Sequence, residues 1–213
     1  MQMVKKVTGS LLAVFSLCLV LVNAAFADQA AEALRKHLDS MNSLEGNFTQ
    51  VMTDANADVH ESASGNFMLQ RPGKFYWETL DPMPQVLVSN GKTIWLYDPD
   101  LETVNVRQFT EDLRQTPALL LSEDIATLRE NFSITHKTLA SDTQQFVLTP
   151  KVSEGLFASL TLVFKQSDLV EFSIEDSLGQ VTRCELTNVK RNQPLAEEKF
   201  YFQIPTGVEV ISN

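Results

Sequence analysis

The chain has 213 residues, with 27 acidic against 17 basic side chains and two cysteines. So acidic a chain carries no electrostatic footprint for nucleic acid or for anionic membrane surfaces. Past residue 27 only Cys184 remains, which excludes an intramolecular disulfide there.

The first 27 residues have the layout of a cleaved secretory signal. Lys5 and Lys6 form a charged start, Leu11 to Val22 an apolar run, and Ala25-Phe26-Ala27 a small-residue cleavage site before Asp28. The apolar run is short for a membrane span of ~20 residues. Residues 28–213 are therefore expected as one exported domain of 186 residues; its 15 basic and 27 acidic side chains leave it at −12. The lack of a disulfide fits a bacterial periplasm.

Leu34, Leu38 and Met41, with Ala30 and Leu44 extending the stripe, predict an amphipathic helix over 30–44, ended by Gly46. Strand-like alternation follows. Phe48-Gln50-Met52 leads into a polar loop over 54–64, then 66–70 and 74–80 split by Pro72-Gly73, then a turn at 81–84. Asn90-Gly91 between two apolar runs predicts a two-residue type I′ hairpin. Asp98-Pro99-Asp100 turns again before a strand over 103–107. Residues 110–130 break the pattern: leucines at near-helical spacing, interrupted by Pro117, predict two short helices. Strands resume at 132–136, 145–149, 160–164, 170–174 and 181–189, with a last one at 200–202 before Pro205. About ten or eleven strands with short helices set against them imply a single mainly-β domain, an antiparallel sheet strongly curved or barrel-like.

Catalytic chemistry has no positive signal. His37, His60 and His136 fall on a helix, a loop and a strand without metal-ligand spacing, and no nucleophile elbow, phosphate loop or paired cysteines occur. Cys184 lies mid-strand with no histidine nearby in sequence, as a structural thiol would. Asp98, Asp100 and Glu102 are accounted for by the turn around Pro99. No enzyme, metal or cofactor is expected. The aromatic residues Phe75, Tyr76, Trp77, Trp95 and Tyr97 gather on neighbouring strands, which suits a solid sheet core or a ligand cavity under a thin helical cover. Arg71 precedes them. Alternation gives Arg71, Phe75 and Trp77 the same parity, so the cation is either a loop charge or points inward, where it needs acceptors.

In order, NFTQV (47–51), RPGKFYWE (71–78), VSNGKTIWLYDPDLE (88–102), NVR (105–107), QTPALLL (115–121), FVLTPK (146–151) and KFYFQIPTGVEV (199–210) resemble the LolA family of periplasmic lipoprotein carriers. The resemblance implies an incomplete antiparallel β-barrel of about eleven strands, with a lid of short α-helices over a hydrophobic cavity. It also implies a periplasmic carrier, working as a monomer without a cofactor. Such a carrier takes acylated outer-membrane lipoproteins from an inner-membrane lipoprotein-releasing ABC transporter and passes them to an outer-membrane acceptor lipoprotein (LolB-like). By the same resemblance Arg71 is the expected lid latch. Phe67, Leu69, Phe75, Trp77, Trp95, Tyr97 and Leu148 are expected at the acyl-chain cavity and its mouth. Leu34, Leu38, Met41, Leu119, Leu120, Leu121 and Ile125 are expected in the lid helices. The alternative is a generic apolar-lipid binder of the periplasm with no protein cargo.

Overall fold

The computed structural model describes residues 29–109, 121–152 and 157–212. The expected leader at 1–27 lies outside the described residues, as does most of the first expected lid helix, with Leu119 and Leu120.

Helix α1 covers 29–39 and buries Ala30, Ala31, Leu34 and Leu38. It closes on a tight turn, Met41 N–H donating to the Leu38 carbonyl at 3.0 Å. This is shorter than the helix predicted over 30–44. Leu44 continues the helical stripe from Met41, but it also stands two and four residues before Gly46 and Phe48. That second period wins, and Leu44 is paired with Leu69 inside the strand Ser43–Thr53.

The strands are β1 (Ser43–Thr53), β2 (Val59–Gln70), β3 (Lys74–Asp81), β4 (Gln85–Asn90), β5 (Thr93–Asp98) and β6 (Thr103–Gln108). Helix α2 (Ile125–Asn131) is followed by β7 (Phe132–Ala140), β8 (Thr143–Pro150), β9 (Phe157–Lys165), β10 (Asp168–Asp176), β11 (Val181–Arg191) and β12 (Glu209–Ser212). Among the described residues these twelve make one sheet in the order β12-β6-β5-β4-β3-β2-β1-β11-β10-β9-β8-β7. Neighbours pair antiparallel except β12, which runs parallel to β6. The two end strands, β12 and β7, are not paired with each other, so the curled sheet stays open.

Three local expectations are corrected. Residues 59–64, read as loop, belong to β2 and pair with β1. One face carries only Val59, Glu61 and the small Ala63 and the other His60, Ser62 and Ser64, so no run of large apolar residues marks them as strand. Residues 200–202 are not a strand: a 3-10 turn occupies Glu197–Phe200, and the last strand comes later, at Glu209–Ser212. The β4–β5 hairpin turns one residue late. Ser89 pairs with Ile94, so Gly91-Lys92 form its tip. Gly91 is left-handed (φ 85), and the Asn90 side-chain carbonyl accepts from the Lys92 and Thr93 N–H groups, both at 2.9 Å.

The concave face carries the main core. Leu44, Phe48, Phe67, Leu69, Phe75, Trp77, Phe146, Leu148, Phe164 and Phe172 are buried there with Leu34, Leu38 and Met41 from the α1 region and Leu128 from α2. The rings form a continuous floor: Phe48 stacks on Trp77 at 3.8 Å between centroids, and Trp77 meets Phe75 and Phe172 at 5.8 Å each. A smaller layer lies on the convex face. There the chain after β11 crosses back over β3 and β4, burying Phe200 apart from the main core. Tyr97 and Phe202 lie 5.2 Å apart in this layer, and Lys74 is ion-paired with Glu197 at 2.6 Å.

Candidate functional site

Arg71 opens the three-residue connection between β2 and β3, in which Gln70 pairs with Lys74 and Gly73 is left-handed (φ 74). The hairpin tip is clamped from three sides. Arg71 N–H donates to the Asn42 carbonyl and Gly73 N–H to the Ser122 carbonyl, both at 2.9 Å. The buried Ser89 hydroxyl donates to the Gly73 carbonyl at 2.8 Å. The tip is thereby tied to the segment after α1, to the segment before α2 and to β4.

The Arg71 side chain continues the same bridge. Its Nε donates to the Met41 carbonyl at 3.1 Å, just beyond α1. Its Nη1 donates to the Glu123 carbonyl, next to Asp124, the α2 N-cap. Both acceptors flank the helices, where no helical N–H competes for them. Nη2 is fully enclosed and has no hydrogen-bond partner among the described residues. Burial lowers the Arg71 pKa to about 10, opposed by the charges of Glu123, Asp39 and Asp124. The guanidinium thus stays a cation at neutral pH. Burial also pushes the Glu123 carboxyl above its ordinary range, against a Thr127 hydrogen bond and the Arg71 charge that pull it down.

The structure brings Phe67, Leu69, Phe75, Trp77 and Leu148 together on the concave face, with Leu34, Leu38, Met41 and Leu121 buried against them and Ile125 packed at the margin. Trp95 and Tyr97 do not join them. Trp95 pairs with Val88, which pairs with Tyr76; Ile94 and Leu96 instead stand in register with Phe75 and Trp77. Trp95 and Tyr97 therefore face the convex layer under the C-terminal segment and not the concave interior.

Several residues of the concave site escaped sequence reasoning. His37 Nε2 donates to Gln144 Oε1 (2.9 Å) and the ring stacks on Phe164 at 4.3 Å, docking α1 onto β8 and β9. It stands three residues after Leu34, on the edge of the apolar stripe, a signal that could have placed it. Phe146 and Phe164 alternate with the recognised Leu148 and with Leu162, and Ile94 alternates with Leu96. Cys184 is buried beside Gln50 Oε1 (3.6 Å), and desolvation pushes its thiol up to about 12, far from a reactive thiolate. Beside Arg71 a crevice of about 440 Å³ opens to solvent, lined largely by polar side chains, Asn42, Ser43, Gln70, Asn192 and Gln193 among them.

Known proteins resemble this chain over most of its length. The family profile of the outer membrane lipoprotein carrier protein LolA matches residues 39–203. An outer-membrane lipoprotein carrier protein of Azotobacter vinelandii is 42% identical over 200 residues, covering 91% of this chain and 96% of its own. That of Hahella chejuensis is 37% identical, covering 93% and 94% respectively. Among solved structures, an uncharacterised conserved protein of Thermus thermophilus shares the fold with a TM-score of 0.54 at 13% identity, covering 87% of this chain and 99% of its own. A candidate outer membrane lipoprotein-sorting protein domain of Vibrio parahaemolyticus does so at 0.51 and 12%, covering 82% and 97%. The chain belongs to the outer membrane lipoprotein carrier family, LolA, a family of carriers and not of enzymes.

Proposed function

We propose that this protein is a periplasmic lipoprotein carrier that shelters acyl chains between its lid helices and the concave face of its sheet. It takes acylated outer-membrane lipoproteins from an inner-membrane ABC transporter and hands them to an acceptor lipoprotein on the outer membrane, acting as a monomer. The observation that carries the reading is the bridge at Arg71. One buried cation on the sheet rim holds carbonyls beside both lid helices, over an apolar interior.

The physical logic is a balance. Burying an acyl chain contributes about 0.8 kcal/mol per methylene, so three chains of about fifteen methylenes amount to roughly 35 kcal/mol gross. A carrier that gained all of this could not release its cargo. Entering chains must first displace α1 and α2 from the floor of rings and strip the guanidinium of its lid carbonyls, which costs several kcal/mol for a buried cation. That cost offsets part of the acyl burial and keeps the cargo transferable.

The test is a purified transfer assay with Arg71→Leu. Loading is expected to survive, while delivery to the acceptor falls at least tenfold. Wild-type delivery by Arg71→Leu would overturn the latch, and a protein that takes up free lipid but no acylated lipoprotein would overturn the carrier reading.

A further inference from the structure

We infer that Arg71 also recognises the cargo itself: its guanidinium donates to the carbonyls of the acyl linkage, so the site selects acyl esters over hydrocarbon of equal length. The inference rests on the carrier reading and deepens it.

Three observations converge on it. The Arg71 Nη2 is enclosed without a partner among the described residues, so the closed state leaves part of a five-donor fork unused. Both side-chain acceptors that Arg71 does hold, at Met41 and Glu123, are carbonyl oxygens and not carboxylates. An ester or amide carbonyl is the same kind of acceptor, so cargo can replace the lid at this atom without a change in chemistry. The third observation is position. On one side of Arg71 lies the apolar interior, with Leu69 and Phe75 fully buried; on the other lies the crevice bearing Asn42, Ser43 and Asn192. An acylated lipid has its carbonyls at this kind of junction, between hydrocarbon tail and polar head. A buried cation deprived of acceptors is costly, so once the lid is displaced the site favours a ligand that brings its own.

The probes are two synthetic peptides that differ at one place. One carries a cysteine with a dipalmitoyl ester of glycerol on sulfur; the other replaces both ester carbonyls by ether methylenes. Each competes for the interior against the neutral apolar fluorophore N-phenylnaphthylamine. The wild-type protein is expected to bind the ester about tenfold more tightly, the value of one hydrogen bond to a charged donor. Arg71→Leu should bind the two alike, and Arg71→Lys, which keeps a cation with a poorer donor geometry, should fall between. Equal wild-type affinities, or an undiminished ester preference in Arg71→Leu, would overturn the inference and leave the carrier reading standing. Failure of the wild type to bind either peptide would overturn both. Equal wild-type affinities refute the inference without any variant, and Arg71→Lys carries the assignment to Arg71 if Arg71→Leu is unstable.

Discussion

Among the described residues Gly65 is the most confined glycine, and Gly65→Ala is the sharpest test of how the floor of rings is built. Gly65 pairs with Phe48 on one side and Thr79 on the other. A Cβ at this position would stand 1.8 Å from the Glu78 carbonyl oxygen and 2.8 Å from the Phe48 ring. The carbonyl belongs to a strand backbone held on both sides, so it cannot swing away as a side chain would. The ring in turn stacks on Trp77. One inserted methyl group in a filled site costs about 1–3 kcal/mol; contact with fixed backbone places this case at about 3 kcal/mol or more. For a domain of this size that lowers Tm by about 6–12 °C. Gly207→Ala is the matched control. Nothing lies within 4 Å of its Cβ position, but its φ of +92 is left-handed, so the penalty is conformational and about 1 kcal/mol. Thermal unfolding followed by circular dichroism compares the two. A Gly65→Ala shift no larger than that of Gly207→Ala would refute the claim that close backbone approach, and not chain flexibility, selects glycine at 65.

Two further outcomes follow from the two apolar layers and from the lid. Phe200→Ala removes the centre of the convex layer; about 3 kcal/mol, the low end for a buried phenylalanine because the C-terminal segment can peel away, lowers Tm by about 6–12 °C. Uptake of an apolar fluorophore should be unchanged, and a parallel loss of uptake would place Phe200 with the interior. Glu123→Gln tests the buried carboxyl of the lid. Its folded pKa is raised, so the folded chain holds a proton that the unfolded chain releases between the two values. The stability tied to that proton is complete below the unfolded pKa and is lost as pH rises through the folded one. Glu123→Gln should therefore raise Tm at pH 7, with the gain vanishing as pH falls below about 4 and the carboxyl becomes protonated in fold and coil alike. A Tm gain independent of pH would assign the effect to packing.

The legible parts of the fold are those with one wet face. Leu34, Leu38 and Met41 mark α1 because polar residues fill the rest of its surface, and Val170, Phe172 and Ile174 mark β10 by alternation with Glu171, Ser173 and Glu175. Where both faces are covered, alternation cannot say which is which. In β5 the run Ile94, Trp95, Leu96, Tyr97 is apolar at every position, since one face meets the concave core and the other meets the returning C-terminal segment. Nothing in that run decides which face Trp95 and Tyr97 take, and it is the family resemblance that puts them at the cavity. Residues 59–64 fail in the opposite sense: Val59 is exposed and only the small Ala63 is buried, so the strand carries no period of large apolar side chains. Spacing gives Arg71 the parity of Phe75 and leaves its direction open; the family resemblance makes it the expected latch. Its two acceptors come from residues 30 and 52 positions away, and no local pattern encodes them.

The open seam between β12 and β7 has a mechanical meaning. In a closed barrel, strand number and stagger fix the radius, and widening the lumen requires breaking backbone hydrogen bonds all along one ladder. A curled ribbon with two free margins has no such constraint. It can relax its curl as a leaf spring does, each of its eleven ladders flexing slightly and none being severed. The resistance to swelling then falls on side-chain contacts between helices and sheet, which are soft, numerous and individually weak. An interior walled this way has no volume fixed by strand number and stagger.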